Sequence, residues 1–79
     1  MKMKRIDGHE LDVVGSVLLS HKRTGKQKYF IVYKNYTDKR LVTCQTSDIV
    51  GMTQKKAKEL RRVLSDVRID MVTEKHGYV

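Results

Sequence analysis

The side chains able to do covalent or metal chemistry are few in this sequence. There is one cysteine, Cys44, and there are three histidines, His9, His21 and His76. Asp7, Glu10 and Asp12 form its acidic cluster. The histidines are scattered, and neither they nor Cys44 have a partner at a metal-ligand interval. Cys44 lies among β-formers, which suits a small buried hydrophobe better than a nucleophile. The acidic cluster could join Asp70 or Glu74 around a cation, but it also balances nearby basic residues, and its spacing favours no metal. No glycine-rich loop is built to cradle a phosphate. The expectation is therefore a protein that is not an enzyme, with no catalytic residue, no metal and no cofactor.

Positive charge is the abundant resource. Seventeen Lys and Arg stand against nine Asp and Glu, a formal net of +8. The excess falls in two blocks. Residues 21–40 carry Lys22, Arg23, Lys26, Lys28, Lys34, Lys39 and Arg40 against Asp38, and residues 53–68 carry Lys55, Lys56, Lys58, Arg61, Arg62 and Arg68 against Glu59 and Asp66. The remaining segments are slightly acidic. Two basic blocks on such a background are the electrostatic footprint of a polyanion-facing surface. Lys58 with Arg61 and Arg62 places like charges three and four residues apart, and Lys55 and Lys56 oppose the helix dipole. Both arrangements disfavour the helix by tenths of a kcal/mol, and a phosphate backbone would relieve them. The ordinary alternative is a solvated charged face.

The elements that must position these residues are legible in outline. Residues 13–20 are β-branched and apolar and predict a strand, with Gly15 marking a bulge or a close backbone approach. Residues 28–34, Lys-Tyr-Phe-Ile-Val-Tyr-Lys, predict the central strand, apolar on both faces. Asn35, Tyr36, Thr37 and Asp38 read as a hairpin turn leading to a third strand over 40–46. The period then changes to that of a helix over 53–66, with Ala57, Leu60, Val63, Leu64 and Val67 on one side and Thr53 as N-cap. Residues 67–73 alternate again as a short fourth strand. The fold expected is a single small α+β domain spanning 1–79: a three- to four-stranded antiparallel sheet with one helix packed on a face.

This central strand poses a conflict. Tyr29, Ile31 and Tyr33 lie on one face, Phe30 and Val32 on the other, and one helix covers one face only. The second face must be exposed, shared with a partner, or covered by the termini. Residues 47–60 resemble the turn and second helix of a helix-turn-helix motif, carried by Val50, Gly51, Met52 and Thr53, with Ala57 and Leu60 packing inward. That resemblance implies that Gln54, Lys55 and Lys58 face a major groove, and it departs where 43–50 should be the first helix. In order of elements, the chain also resembles sheet-reading DNA-binding domains of some integrases and plant transcription factors. That resemblance implies a reading face of Tyr29, Tyr33, Thr43 and Gln45 rimmed by Lys26, Lys28, Lys34 and Arg40.

The function expected is nucleic-acid binding, DNA rather than RNA, by a small cytoplasmic regulatory or accessory protein. Its phosphate contacts would come from Lys22, Arg23, Lys26 and Lys28 on the hairpin and Lys55, Lys58, Arg61 and Arg62 on the helix, with Gln54, Gln45 or the tyrosines reading sequence. The competing class is a protein-interaction module, such as a virus- or mobile-element-type inhibitor that binds a host protein through an aromatic or basic surface. A homodimer would supply extra support to so short a chain. The apolar stretches are far too short for a membrane span, and no membrane partner is expected. A lone cysteine suits a reducing compartment.

Overall fold

The computed structural model describes residues 1–37, 40–61, 67–68 and 75–79. Strands β1 (Lys2–Lys4), β2 (Glu10–Ser20), β3 (Gln27–Lys34) and β4 (Leu41–Gln45) pair antiparallel in sequence order, and β5 (Val67–Arg68) joins the far edge beside β4. Helix α1 (Gln54–Glu59) packs on one face, so the fold is the small α+β sheet with a single helix that the sequence implies.

Three boundaries differ from expectation. Strand β1 carries little sequence signal, since Lys-Met-Lys has one apolar side chain; Met3 packs against the core through its pairing with Leu11. Helix α1 ends at Glu59, because Leu60 and Arg61 turn onto β2: the Leu60 carbonyl accepts the Ser16 N–H at 3.1 Å, and Arg61 bridges Ser16 in parallel; 62–66 of the expected helix lie outside the described residues. The fourth antiparallel strand is β1, not 67–73. Within 67–73 the described pair Val67–Arg68 runs parallel to β4, and 69–73 lie outside the described residues.

A bulge in β2 decides which side chains meet the helix. Val13 pairs with Tyr33 and Gly15 with Val32, which leaves Val14 as the extra residue. One inserted residue swaps the faces beyond it. Val13 before the bulge and Ser16 after it therefore share the face on which Ile31 and Tyr33 lie. On that face Val13, Ile31, Cys44, Ile49 and Ala57 form the core, flanked by Met3, Leu11, Tyr29, Tyr33 and Met52. Ala57 is fully buried, and its carbonyl accepts a hydrogen bond from the Ser16 hydroxyl. A residue without a long side chain lets α1 approach the strand closely enough for that bond.

The conflict on β3 is thereby resolved. Tyr29 and Tyr33 serve the core under the helix, and the opposite face is covered in part by the C-terminal segment. Phe30 is 1% exposed, and its ring meets Tyr78 edge-on at 5.1 Å. Val79 exchanges both backbone hydrogen bonds with Ser20 at 3.1 Å, and Lys22 N–H donates to the Gly77 carbonyl at 2.7 Å. The free edge of β2 is filled in turn by β1, Arg61 and Tyr78. Past its end, β1 also meets the chain that follows β4: Arg5 bridges Ile49, Ile6 N–H donates to the Asp48 carbonyl, and Val50 N–H donates to the Lys4 carbonyl, both at 2.9 Å. The sheet thus curls on itself, which protects edges that would otherwise offer unpaired backbone groups.

Candidate nucleic-acid interface

The helix is anchored by a side chain that the sequence offered as a base reader. Strand β4 makes its last pairing with β3 at Gln45 opposite Phe30, then leaves the sheet in a 3₁₀ turn over Thr46–Asp48. Tyr29 would be left without a neighbour on that side. Gln54 supplies one: Tyr29 N–H donates to Gln54 Oε1 at 2.7 Å, and Gln54 Nε2 donates to the Tyr29 carbonyl and to Thr46 Oγ1, each at 3.0 Å. Both ends of the amide are engaged in structure.

The clamp also fixes where the helical charges sit. Tyr29 lies two positions from Gln27, the start of β3, roughly 7 Å along the strand. Gln54, which opens α1, therefore lies toward the end of the sheet that carries the β2–β3 connection, and Ala57 lies farther in, over Ser16. Lys22, Arg23 and Lys26 are exposed in that connection, and Lys55 and Lys58 are exposed on the helix. Among the described residues, the side-chain ion pairs join Asp7 to Arg5 and to His9, and none of these five cations takes part in one. Lys56 donates from Nζ to the Gly51 carbonyl at 3.1 Å and is partly committed. Arg61 is exposed but lies beyond the helix, beside Ser16. Arg62 lies outside the described residues.

Two expected groupings do not form. The first basic block is divided, since Lys34 ends β3 roughly 20 Å from Lys28 at strand rise, and Arg40 lies beyond the β3–β4 turn. The reading face of Tyr29, Tyr33, Thr43 and Gln45 does not exist. The register sets Tyr33 with Val42 on the helix side, and sets Gln45 with Phe30 and Thr43 with Val32 on the other. The helix-turn-helix resemblance fails at its first helix, because Leu41–Gln45 is a strand and α1 has six residues. Its turn is real in part: Gly51 adopts φ 72°, and Thr53 Oγ1 accepts the Lys56 N–H at 3.1 Å as N-cap.

Lys28 departs most from its expected role. It points to the face opposite α1, donates to Gln45 Oε1 at 3.1 Å, and stands 5.6 Å from the centre of the Phe30 ring. There it lines a cleft of about 270 Å³ with His21, Phe30, Gln45, His76 and Tyr78. The turn orients His21: Arg23 N–H and Thr24 N–H donate to its Nδ1 at 3.1 and 3.3 Å, and its ring meets Tyr78 edge-on at 5.2 Å. No sequence signal foretells this cleft, because its C-terminal wall reaches it only through the pairing of Tyr78 with His21.

Elsewhere the charged groups serve local structure. Asp7 sits below the usual carboxylate range, chiefly because His9 N–H donates to it at 3.0 Å. Partial burial opposes the charge on Arg5, yet Tyr33, Asp48 and Asp7 outweigh it and raise the pKa. Cys44 is buried. No three His, Cys, Asp or Glu side chains converge among the described residues. None of the described helices is long and apolar enough to cross a membrane.

Comparison of the chain with protein-family models, with curated proteins and with solved structures finds no match.

Proposed function

We propose that this protein binds nucleic acid, DNA in preference to RNA, as a small regulatory or accessory protein of the cytoplasm. The observation that carries this reading is the set of exposed cations that both basic blocks leave unneutralised. Lys22, Arg23 and Lys26 in the β2–β3 connection and Lys55 and Lys58 on the helix are exposed and have no carboxylate partners among the described residues. Like charges gathered without neutralisation repel, and a phosphate backbone relieves that repulsion while releasing counterions. The reading assigns contact with phosphates to these five, with Arg61 extending the track. It assigns no role in base reading to Gln54.

Titration against labelled duplex DNA, single-stranded DNA and structured RNA at two salt concentrations tests it. The expected result is micromolar or tighter binding that weakens steeply with salt and prefers one polymer. Weak binding without preference overturns it.

A protein partner is the competing reading, and one observation favours it. Ile6 and Val50, 65% and 61% exposed, follow directly on the bridged pair Arg5 and Ile49 at the seam where β1 meets the chain after β4. Its aromatic version loses ground, since Tyr29 and Tyr33 pack on the core and Phe30 is buried. A tight complex with one protein, insensitive to salt, would establish it instead.

A further inference from the structure

We infer that the cleft between β3 and the C-terminal segment receives a single unpaired base, so that this protein engages single strands. The inference rests on the nucleic-acid reading and names the part of the ligand that leaves the phosphate track.

The cleft has the chemistry for it. At about 270 Å³ it lies just below the range of drug-sized pockets, about 300–1,000 Å³, and suits one flat ring system. Tyr78 gives it an aromatic wall, with the buried Phe30 ring packed edge-on behind it. Its polar groups are mostly donors. Lys28 spends one of its three protons on Gln45 Oε1, which leaves two, and that same bond occupies the Gln45 oxygen and leaves its amide N–H₂ to donate. Among the described residues, no carboxylate side chain lines it. Donors against an aromatic wall complement the carbonyl acceptors of a thymine or guanine edge.

Its surroundings bring a strand there. His21 in the lining is followed directly by Lys22 and Arg23, and His76 is preceded by Lys75, all three exposed. Phosphates on either side of an inserted base would meet these cations. A duplex cannot supply such a base without unpairing it, whereas a single strand can. The helix cations lie across the sheet from the cleft, so a strand occupying both would turn around the β2–β3 connection.

Fluorescence anisotropy with an end-labelled thymidine decamer and a decamer of abasic deoxyribose phosphates, equal in charge, tests the inference at fixed salt. Base stacking of the usual strength makes the thymidine strand bind about ten-fold tighter or more. In K28M, which keeps the aliphatic stem, that ratio falls towards one while the abasic strand loses only the effect of one charge. Y78A is a second variant with the same expected loss of ratio. Equal binding of the two strands by the unaltered protein overturns the cleft and leaves the phosphate track standing. Binding of neither overturns both readings.

Discussion

Gln54 completes the sheet at Tyr29. Its amide gives and takes one hydrogen bond each with the Tyr29 backbone, at 3.0 and 2.7 Å, in the place that β4 vacates after Gln45. A side chain imitates a strand there, and the helix that bears it is held in register with β3. Q54L is nearly isosteric and removes both bonds to Tyr29 and the one to Thr46 Oγ1. Water reaches the site in part, so the expected loss is about 1 kcal/mol. A urea titration reads it as a lower midpoint at unchanged slope; an unchanged midpoint would show that the clamp contributes nothing.

Ser16 and Ala57 make the second attachment. The Ser16 hydroxyl donates to the Ala57 carbonyl, which also accepts the Leu60 N–H at 3.0 Å. S16A leaves that carbonyl with one partner and costs about 1 kcal/mol. A57L forces side-chain volume into a fully buried position, at a cost of about 1–3 kcal/mol. Thermal unfolding of the two variants should rank A57L below S16A. The reverse order would mean that the helix is not seated on Ser16.

Charge removal on the helix tests the phosphate track separately from the fold. Lys55 and Lys58 are exposed, so K55Q/K58Q should leave the stability within about 0.5 kcal/mol of the original. On duplex DNA, the slope of log affinity against log salt should become shallower by about 0.9 for each phosphate that is no longer neutralised. A slope identical to that of the unaltered protein would exclude this helix face.

Gly77 holds the C-terminal segment against His21. Its φ is 86°, and a Cβ there would approach His21 Nε2 to 2.8 Å. G77A combines a left-handed conformation with a clash. The conformational part alone costs about 1–2 kcal/mol. Hydrogen exchange should accelerate at Ser20 and Val79, which bond each other, while Ile31 in the core stays protected. Unchanged exchange at Val79 would refute this docking.

Asp7 gives the β1–β2 turn its pH dependence. Its pKa is lowered in the fold, mainly by the His9 N–H. A depressed carboxylate contributes fully above its unfolded pKa, near 3.9, and that contribution fades as pH falls through the lower folded value. The turn should therefore hold from neutrality to about pH 4 and loosen below it. NMR shifts of the Gly8 and His9 amides across the acid range would follow this, and D7N should abolish the transition. A transition that persists in D7N would assign it to another group.

The elements readable from the order of amino acids are those whose signals are local. Runs of β-branched, aromatic and other apolar residues mark β3, β4 and most of β2; Gly15 marks the bulge; Thr53 caps α1; and charge counting finds both basic blocks. The same pattern shows that β3 has an apolar face too many for one helix. What covers that face is a matter of tertiary structure, because the pairing of Tyr78 with His21 joins residues far apart in the chain. The same holds for the site. Residue type nominates Lys28 and Gln54 as equals of Lys22 and Lys55. Strand register turns Lys28 into a cleft, and the departure of β4 gives Gln54 a backbone to bind. The helix ends early for a related reason: the free edge of β2 at Ser16 takes up Leu60 and Arg61, and satisfying that edge outweighs the helical period beyond it.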